Sequence, residues 1–434
     1  MSFIPNAMHS FDLNTTLAFQ SPEIIRKEQE RLLNEQIRYC RKNSPFYREA
    51  LAHLPDKEIR IEELSTLPLT SKHDVHEHNE RFIAVEQKEI SDIVFTSGTT
   101  GRPCKIAYTL SDLQRIAYSD ATGFRSTGMT PEDTALITCT LDRCFIAGLA
   151  YSMGTVKLGG AIIRNGLNTL DSHADIIKNN NVTAIVGVPS FVAKLADFLT
   201  AKHIDITGIK HILCIGESLH NRDMSRTPLA QKLENYWPGC VYSTYASSEV
   251  TTSYTECEQR FGGHPAPDLG ILEIIDDDGN PLPPGEVGEV VITPLKLEGM
   301  PLLRFRTGDI SFMIDEPCPC GRNTVRLGPI LTRKAQMLKV KGTTLYPANF
   351  FNVLDQIDGI DNYYMEVSGD SLSDVIDLYI SFSYGDMESL EVKQKLLTNT
   401  RVNVNLHTIS CEAAHRKVFG STRKPLRFFD LRNI

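Results

Sequence analysis

The chain has 434 residues, a formal net charge of −9 and enough apolar side chains to fill more than one core, so two or three folding units are expected. The acidic balance and the scattered lysines and arginines argue against a nucleic-acid binder or a polybasic membrane anchor. No apolar run reaches the ~20 residues that cross a bilayer. Because the N-terminus also lacks a basic start and an apolar signal core, the sequence predicts a cytoplasmic protein.

The first predicted element is a charged amphipathic helix. Ser21 can cap it, Pro22 suits its first turn, and the pattern continues to about Arg41. Apolar strand-like runs and helical segments then alternate, which predicts parallel sheets covered by helices. The strand-like runs are Asp92–Thr96, Ala135–Thr140, Ala161–Arg164, Ala184–Val188 and His211–Ile215, and the clearest helix between them is Ser190–Leu199.

The pattern changes after about residue 268. Short strands at Ile271–Ile275 and Val287–Thr293, with the turn sequence Asp277–Asn280 between them, predict an antiparallel hairpin or a small barrel. The last hundred or so residues carry their own signals, a strand at Val375–Ser383 and a helix at Ser389–Leu397. We interpret them as a separate small domain.

A loop rich in glycine and hydroxyl residues follows the apolar run Ile93–Phe95. It reads Ser97, Gly98, Thr99, Thr100 and Gly101. Glycines let backbone N–H groups approach an anion, and the hydroxyls add donors to phosphoryl oxygens. The spacing is not that of a Walker loop, and read alone the run fits a solvated turn equally well.

Further motifs follow in order. Tyr245–Glu249 comes after a strand-like segment, and a carboxylate at a strand exit can hold Mg²⁺. Asp309, after the flexible Gly308, could accept hydrogen bonds from the vicinal hydroxyls of a ribose. The segment Arg333–Gly342 and the late Lys424 complete the set. Read individually, Asp309 also fits an ordinary turn aspartate, Glu249 a capping acid, and Lys424 a surface lysine.

Taken together, these motifs resemble the adenylate-forming superfamily of acyl-CoA synthetases, nonribosomal adenylation domains and luciferases. The compact length and the string Cys318–Arg322 place the resemblance closest to its phenylacetate-CoA ligase branch. The resemblance implies an α/β protein with a large N-terminal domain, residues 1–333, made of two αβ subdomains plus a β-barrel. A small mobile α+β C-terminal domain, residues 334–434, would be hinged near Lys334 and Ala335.

The implied reaction is ATP-dependent activation of a carboxylic acid through an acyl-adenylate, followed by transfer to coenzyme A. By the resemblance Glu249 binds Mg²⁺, Asp309 binds the ribose, and Lys424 stabilises charge during adenylation. A rotation of the small domain then presents the Val340–Gly342 segment to the thiol. The remaining cofactor-binding candidates are Ser97, Gly98, Thr99, Thr100, Gly101, Gly216, Glu217, Ser218, Tyr245, Ala246, Ser247, Ser248, Arg333, Lys341 and Gly342.

Two positions depart from the family pattern. Ala335 stands where the hinge acid is usual, and Arg423 replaces the usual glycine before Lys424. These changes keep open a degenerate member that binds nucleotide as a sensor.

A second set of residues could bind a metal ion. Cys257, His264, Cys318 and Cys320 could form a closed tetrahedral site for a structural Zn²⁺. The alternative is a Cys-Pro-Cys turn with free thiols and an ordinary loop histidine. Similar cysteine strings in the phenylacetate-ligase branch favour the zinc site.

The substrate is predicted least directly. By the resemblance Phe145, Gly148, Tyr151 and Val188 line the acyl pocket, where aromatic and small residues suit an aryl or arylacetic acid. The same residues also fit core packing. The acceptor of the acyl group could instead be an amine, a carrier-protein thiol or a protein thiol. A homodimer is expected from the resemblance alone.

Overall fold

The structure is a computed structural model that describes residues 9–55, 57–96, 104–336, 338–340, 343–370, 373–383, 389–400, 402–420 and 425–432. The chain divides into two compact units. The first comprises Met1–Arg226 and Ala230–Ile330, and the second comprises Thr227–Leu229 and Leu331–Ile434.

The α-helices of the described residues are α1 (Pro22–Asn43), α2 (Pro45–Ala50), α3 (Lys72–Glu77), α4 (Asn79–Phe82), α5 (Leu110–Ser126), α6 (Ala147–Leu158), α7 (Leu170–Asn179), α8 (Pro189–Ala201), α9 (Pro228–Tyr236), α10 (Pro347–Leu354), α11 (Ser389–Thr400) and α12 (Cys411–Phe419). Among these described helices, none combines the length and the apolar character that crossing a membrane requires.

The strands are β1 (Thr70–Ser71), β2 (Ile90–Thr96), β3 (Cys104–Thr109), β4 (Thr134–Ile137), β5 (Ala161–Arg164), β6 (Ala184–Gly187), β7 (His211–Ile215), β8 (Val241–Ala246), β9 (Ser253–Glu256), β10 (Gly263–His264), β11 (Gly270–Ile275), β12 (Gly288–Pro294), β13 (Phe305–Ser311), β14 (Met313–Ile314), β15 (Arg326–Leu327), β16 (Thr332–Arg333), β17 (Leu338–Val340), β18 (Thr343–Leu345), β19 (Ile360–Asp370), β20 (Ser373–Phe382), β21 (Asn405–Thr408) and β22 (Phe428–Asp430).

Helix α1 begins where the capping residues predict. The Ser21 hydroxyl accepts a hydrogen bond from the Ile24 N–H, and Pro22 occupies the first turn. The helix ends at Asn43, two residues beyond the predicted Arg41, because Ser44 and Pro45 begin α2. Its buried apolar side chains are Ile25, Leu32, Leu33, Ile37 and Cys40.

The largest sheet has the strand order β14-β15-β10-β9-β8-β7-β6-β4-β5. From β5 to β8 neighbouring strands are parallel, and α6 to α9 stand between them in the chain. The predicted parallel sheet is therefore confirmed for four of the five apolar runs. Strand β4 has β5 on one side and β6 on the other, so the direction of winding reverses at β4.

The first apolar run was assigned wrongly to a parallel sheet. Strand β2 instead pairs antiparallel with β3, with Thr96 opposite Cys104, and the two strands form a sheet of their own. Only residues 97–103 separate the two strands in sequence, and a parallel pairing needs a crossover of a dozen or more residues.

The predicted antiparallel hairpin after residue 268 is confirmed by β11 and β12, which pair with Glu273 opposite Val291. They belong to a sheet of order β1-β13-β12-β11. Closure of this sheet into a barrel remains a prediction.

The second unit contains a sheet of order β21-β20-β19-β22, with β19 and β20 forming its long antiparallel centre. Its core includes Phe350, Met365, Leu378 and Leu396, from α10, the two central strands and α11. The predicted fold class, an α/β chain with a large N-terminal part and a smaller α+β C-terminal part, is therefore confirmed.

Candidate active site and metal centre

The carboxyl ends of four neighbouring parallel strands define one edge of the large sheet. Ile137 pairs with Val186, Gly187 with Cys214, and Ile215 with Thr244. The segments that follow these strands therefore leave the sheet at the same edge, which is where ligands of open α/β sheets bind. Three predicted site segments begin there, at Val188, at Gly216 and at Tyr245.

Glu249 is a buried carboxylate in the turn between β8 and β9. Its Oε2 accepts a hydrogen bond from the Ser247 hydroxyl at 2.5 Å, and its Oε1 lies 3.4 Å from the Nζ of Lys72. The Lys72 ammonium forms an ion pair with this carboxylate. A hard oxygen ligand at a strand exit fits Mg²⁺, as the sequence predicts.

Tyr245 on β8 and Asp309 on β13 link the large sheet to the sheet of order β1-β13-β12-β11. The Tyr245 hydroxyl donates a hydrogen bond of 2.8 Å to Oδ2 of Asp309, which lies on β13. Burial, and then the negative charge of Asp309, raise the pKa of Tyr245 well above its usual value, so the hydroxyl stays protonated and acts as a donor. This bond holds the predicted ribose-binding carboxylate beside the predicted nucleotide motif.

The segment after β7 forms hydrogen bonds with other groups of the protein. Both oxygens of Glu217 accept hydrogen bonds at 2.9 Å from Ser190, one from its backbone N–H and one from its hydroxyl. The Ser218 hydroxyl donates to the carbonyl of His220, and Gly216 has a left-handed φ of 78°. Glu217 thus caps α8, and its predicted contact with nucleotide remains a prediction.

The four predicted acyl-pocket residues lie in three different environments. Tyr151 is buried in a cluster that includes Phe124 and Cys139, and Val188 packs against the same cluster. Gly148 has no room for a side chain, because an added Cβ would lie 2.3 Å from the carbonyl oxygen of Thr140. Phe145 is partly exposed. Tyr151 and Val188 thus come together, whereas Gly148 serves close packing.

Several predicted residues lie outside the described residues. These are Ser97, Gly98, Thr99, Thr100, Gly101, Lys341, Gly342 and Lys424. Arg333 is described, and it lies exposed on β16.

Cys257, His264, Cys318 and Cys320 converge. Their ligand atoms all lie within 4.8 Å of one another. The Sγ atoms of Cys257 and Cys318 are 3.7 Å apart, and the Cys320 Sγ is 3.5 Å from the His264 Nε2. Tetrahedral zinc with Zn–S bonds of about 2.3 Å requires S···S separations of about 3.8 Å, so the four side chains fit a zinc ion.

Two of the four side chains, His264 and Cys320, have charge states that favour metal binding, whereas burial raises the pKa of the Cys257 thiol to about 12. Burial, and then the nearby arginines Arg322 and Arg326, lower the pKa of His264 to about 3, so the imidazole is neutral. Its Nδ1 lies 2.7 Å from the Thr324 hydroxyl, which leaves Nε2 facing the thiols. Burial opposes ionisation of Cys320, but hydrogen bonds from Arg322 outweigh it and lower the pKa of that thiol.

Sequence reasoning missed three residues around these sites. Lys72 contacts Glu249, the Tyr108 hydroxyl donates to the carbonyl of Ser248 at 2.7 Å, and Thr324 orients His264. None of them lies within a recognisable motif, so the sequence carries no signal for Lys72 or Tyr108. Thr324 follows the Cys318–Arg322 string closely. A metal-ligating histidine usually forms a hydrogen bond through its other ring nitrogen, and a search for that partner could have found Thr324.

The doubly wound sheet, with polar side chains at its carboxyl edge, defines an α/β protein of the class that binds ligands at that edge, and comparison with known proteins identifies the family. Residues 30–294 match the model of the AMP-binding enzyme family, more than half of the chain, so the chain belongs to that family.

Relatives agree with this assignment. The chain is 29% identical over 407 residues to the phenylacetate-coenzyme A ligase of Thermus thermophilus, covering 91% of this chain and 90% of that protein. It is 25% identical over 433 residues to the Escherichia coli phenylacetate-coenzyme A ligase, with 95% and 96% covered. A crystal structure of 2-hydroxyisobutyryl-CoA ligase in its postadenylation state shares the fold, with a TM-score of 0.85, 19% identity, and coverage of 98% of this chain and 95% of that one.

Proposed function

We propose that the protein is an AMP-forming acid–CoA ligase that activates an aryl or arylacetic acid. The observation that carries the proposal is the meeting of Glu249, Tyr245 and Asp309 around one edge of the sheet, in a chain of the AMP-binding family. Its similarity to phenylacetate-coenzyme A ligases over nearly the whole chain supports the substrate class.

In the first step the substrate carboxylate attacks the α-phosphorus of ATP, and pyrophosphate leaves. Glu249 would hold Mg²⁺, whose charge offsets that of the phosphates as the carboxylate approaches. Asp309, oriented by the Tyr245 hydroxyl, would accept hydrogen bonds from the ribose. The loop Ser97–Gly101 would bind the β- and γ-phosphates, and Lys424 would stabilise the charge that moves onto pyrophosphate.

In the second step the thiol of coenzyme A attacks the acyl carbonyl, loses its proton, and displaces AMP. Arg333 and the segment with Lys341 and Gly342 would serve this step after the C-terminal domain, residues 334–434, rotates about a hinge at Lys334 and Ala335. One edge of the sheet would thereby serve both half-reactions. Because ATP and coenzyme A are cytoplasmic metabolites, the proposal is consistent with the predicted location.

Cys257, His264, Cys318 and Cys320 would hold a structural Zn²⁺. Four protein ligands leave no position for water, so the ion would take no part in the reaction. The four side chains lie at the end of β9, on β10, and in the segment before β15. The ion would therefore join strands on the antiparallel side of the sheet.

The proposal is tested by measuring ATP- and acid-dependent pyrophosphate release with phenylacetate, benzoates, cinnamates and short fatty acids. Each assay is run with and without coenzyme A, and acyl products are followed by mass spectrometry. We expect release with an arylacetic or aryl acid and formation of its CoA thioester. Release without dependence on coenzyme A would indicate an amine or a carrier-protein or protein thiol as acceptor, and ATP binding without release would indicate a nucleotide sensor.

Glu249→Gln supplies the negative control for this assay. The amide keeps the shape of the side chain but removes the charge that binds Mg²⁺, so we expect pyrophosphate release to fall at least about 100-fold. Retention of wild-type activity would contradict the assignment of the metal carboxylate.

A further inference from the structure

Arg115 is a buried cation that none of the motifs includes. It lies on α5, it is 0% exposed, and among the described residues it forms no ion pair with a carboxylate. Its guanidinium instead donates to backbone carbonyls from three separate segments. Burial lowers the pKa of Arg115 to about 10, so it remains charged at neutral pH.

Two of these carbonyls belong to the residues directly after Glu249. One terminal nitrogen of Arg115 donates to the Val250 carbonyl at 3.0 Å and also to the carbonyl and the hydroxyl of Thr251. Thr251 has a left-handed φ of 50°, which a β-branched residue adopts only when its surroundings hold it there. Arg115 is the side chain that binds both polar oxygens of this residue.

The other donors of Arg115 bind carbonyls next to β11 and β12, in the sheet of order β1-β13-β12-β11. Its Nε donates to the Leu295 carbonyl at 2.8 Å, just after β12, and its other terminal nitrogen donates to the Leu269 carbonyl, just before β11. The guanidinium therefore joins the turn that carries Glu249 to the ends of a rigid hairpin. A planar group with several fixed donors can do this, whereas an ammonium or an apolar side chain cannot.

We propose that Arg115 is a positioning residue that fixes the turn after Glu249, and with it the Glu249 carboxylate, for Mg²⁺ binding. This inference rests on the proposed function, because it assumes a metal at Glu249. Arg115 acts through backbone carbonyls and the Thr251 hydroxyl, and the proposal assigns it no contact with substrate or cofactor. Loss of these bonds lets the turn relax and moves the carboxylate away from the geometry that the metal requires.

The test measures Mg²⁺ binding without turnover. A fluorescent ATP analogue is bound to each folded variant, and Mg²⁺ is titrated to obtain its half-saturation concentration, alongside thermal unfolding. For Arg115→Lys we expect the Mg²⁺ half-saturation concentration to rise about tenfold or more, because one ammonium cannot replace hydrogen bonds to three segments. Thr251→Ala removes the hydroxyl acceptor and its neighbouring methyl group but leaves the carbonyl acceptors, and we expect it to raise the Mg²⁺ half-saturation concentration about threefold. This variant provides the test if Arg115→Lys does not fold.

Arg304→Lys is the matched control. Arg304 is also buried and binds carbonyls, those of Ser65, Leu67 and Gly279, and unlike Arg115 it pairs with a carboxylate, that of Glu273. Among the hydrogen bonds of the described residues, none joins the Arg304 side chain to the turn that carries Glu249. Its variant should lose thermal stability and keep the Mg²⁺ half-saturation concentration within about twofold of wild type. Equal shifts in both arginine variants, no shift in Arg115→Lys or Thr251→Ala, or a wild type that binds the nucleotide without response to Mg²⁺ would overturn the proposal.

The readout also separates this inference from the proposed function. If the wild type binds nucleotide with Mg²⁺ but releases no pyrophosphate with any acid, the ligase proposal fails. The inference about Arg115 is still decided by the shift in Mg²⁺ half-saturation.

Discussion

The hydrogen bond from Tyr245 to Asp309 is a single contact between two residues that lie 64 positions apart. We predict that Tyr245→Phe raises the KM for ATP about tenfold, with little change in the KM for the acid. A hydrogen bond to a charged acceptor contributes about 1.5 to 3 kcal/mol, and its loss frees the carboxylate that would bind the ribose. Steady-state kinetics with each substrate varied in turn would measure the effect.

Tyr254→Phe is the control for this prediction. Tyr254 lies directly opposite Tyr245 on the paired strand β9, and its buried hydroxyl has no hydrogen-bond partner among the described residues. Its removal should leave the KM for ATP unchanged. Similar kinetics for the two variants would mean that Tyr245 acts only by packing.

Asp120 provides a prediction of pH dependence. It is buried on α5, and burial raises its pKa to about 7, although a hydrogen bond with Ser253 lowers it in part. The native state therefore binds a proton more tightly than the unfolded chain, and stability contributed by this proton falls as pH rises from about 4 to about 7. We predict that Asp120→Asn is more stable than wild type at pH 8, by up to about 4 kcal/mol, and gains far less at pH 5.

Chemical denaturation at both pH values would measure this difference. Asp133→Asn should instead be less stable than wild type by a similar amount at both pH values. Burial alone would raise the pKa of Asp133, but hydrogen bonds from Thr130 and Thr183 outweigh it and lower that pKa. The stability from Asp133 is thus present at pH 8 and fades only as the pH falls below about 4. A pH-independent effect of Asp120→Asn would contradict the assignment of a protonated carboxyl group.

At the scale of elements, the cysteine cluster joins β9, β10 and the segment before β15. We predict that the purified protein holds one zinc ion per chain, and that Cys318→Ser loses the ion and lowers the Tm by about 5 °C or more. Metal bound only by the folded chain stabilises it, so removing one ligand removes that contribution. Elemental analysis and thermal unfolding would measure both quantities.

Cys240→Ser is the comparison for the zinc prediction. Cys240 is half-buried, it lies outside the cluster, and its thiol donates to the carbonyl of Pro238. The variant should keep its zinc and nearly all of its Tm. Wild-type protein without stoichiometric zinc would leave the cluster as a set of packed thiols.

The sequence predicted elements well where local chemistry decides them. Ser21 and Pro22 mark the start of α1, and apolar runs marked four parallel strands. The partner of β2 was predicted wrongly, because an apolar run does not reveal which strand it will pair with. Glu217 was predicted to contact nucleotide, and its observed role as the cap of α8 depends on the pairing of β6 with β7, which brings the segment after β7 to the start of α8.

At the scale of the whole molecule, the proposed reaction needs the C-terminal domain to rotate between two half-reactions. Ala335 lies in the short 3₁₀ helix Lys334–Gln336, close to the start of the second unit at Leu331. We predict that Ala335→Pro keeps at least half of the pyrophosphate release in a single turnover but slows thioester formation about tenfold or more. Proline holds φ near −65°, which restricts the backbone rotation that a hinge requires.

The two half-reactions would be measured separately, the second by adding coenzyme A to a preformed acyl-adenylate. Ala335→Gly leaves backbone rotation at this position unrestricted, so this variant should retain the rates of both half-reactions. If Ala335→Pro slows the two steps equally, the hinge does not lie at this residue.

The sequence by itself determined the order of the motifs, the alternation of strands and helices, and which three cysteines and one histidine form the cluster that could hold a metal. Each of these depends on residues close together in the chain, or on side-chain chemistry that is independent of position. The tertiary structure decided which distant groups meet: Tyr245 with Asp309, Lys72 with Glu249, and Arg115 with the carbonyls of three segments. These contacts arise from the order of strands in the sheets and the packing of α5 beneath them, and periodicity and spacing along a chain do not encode that order.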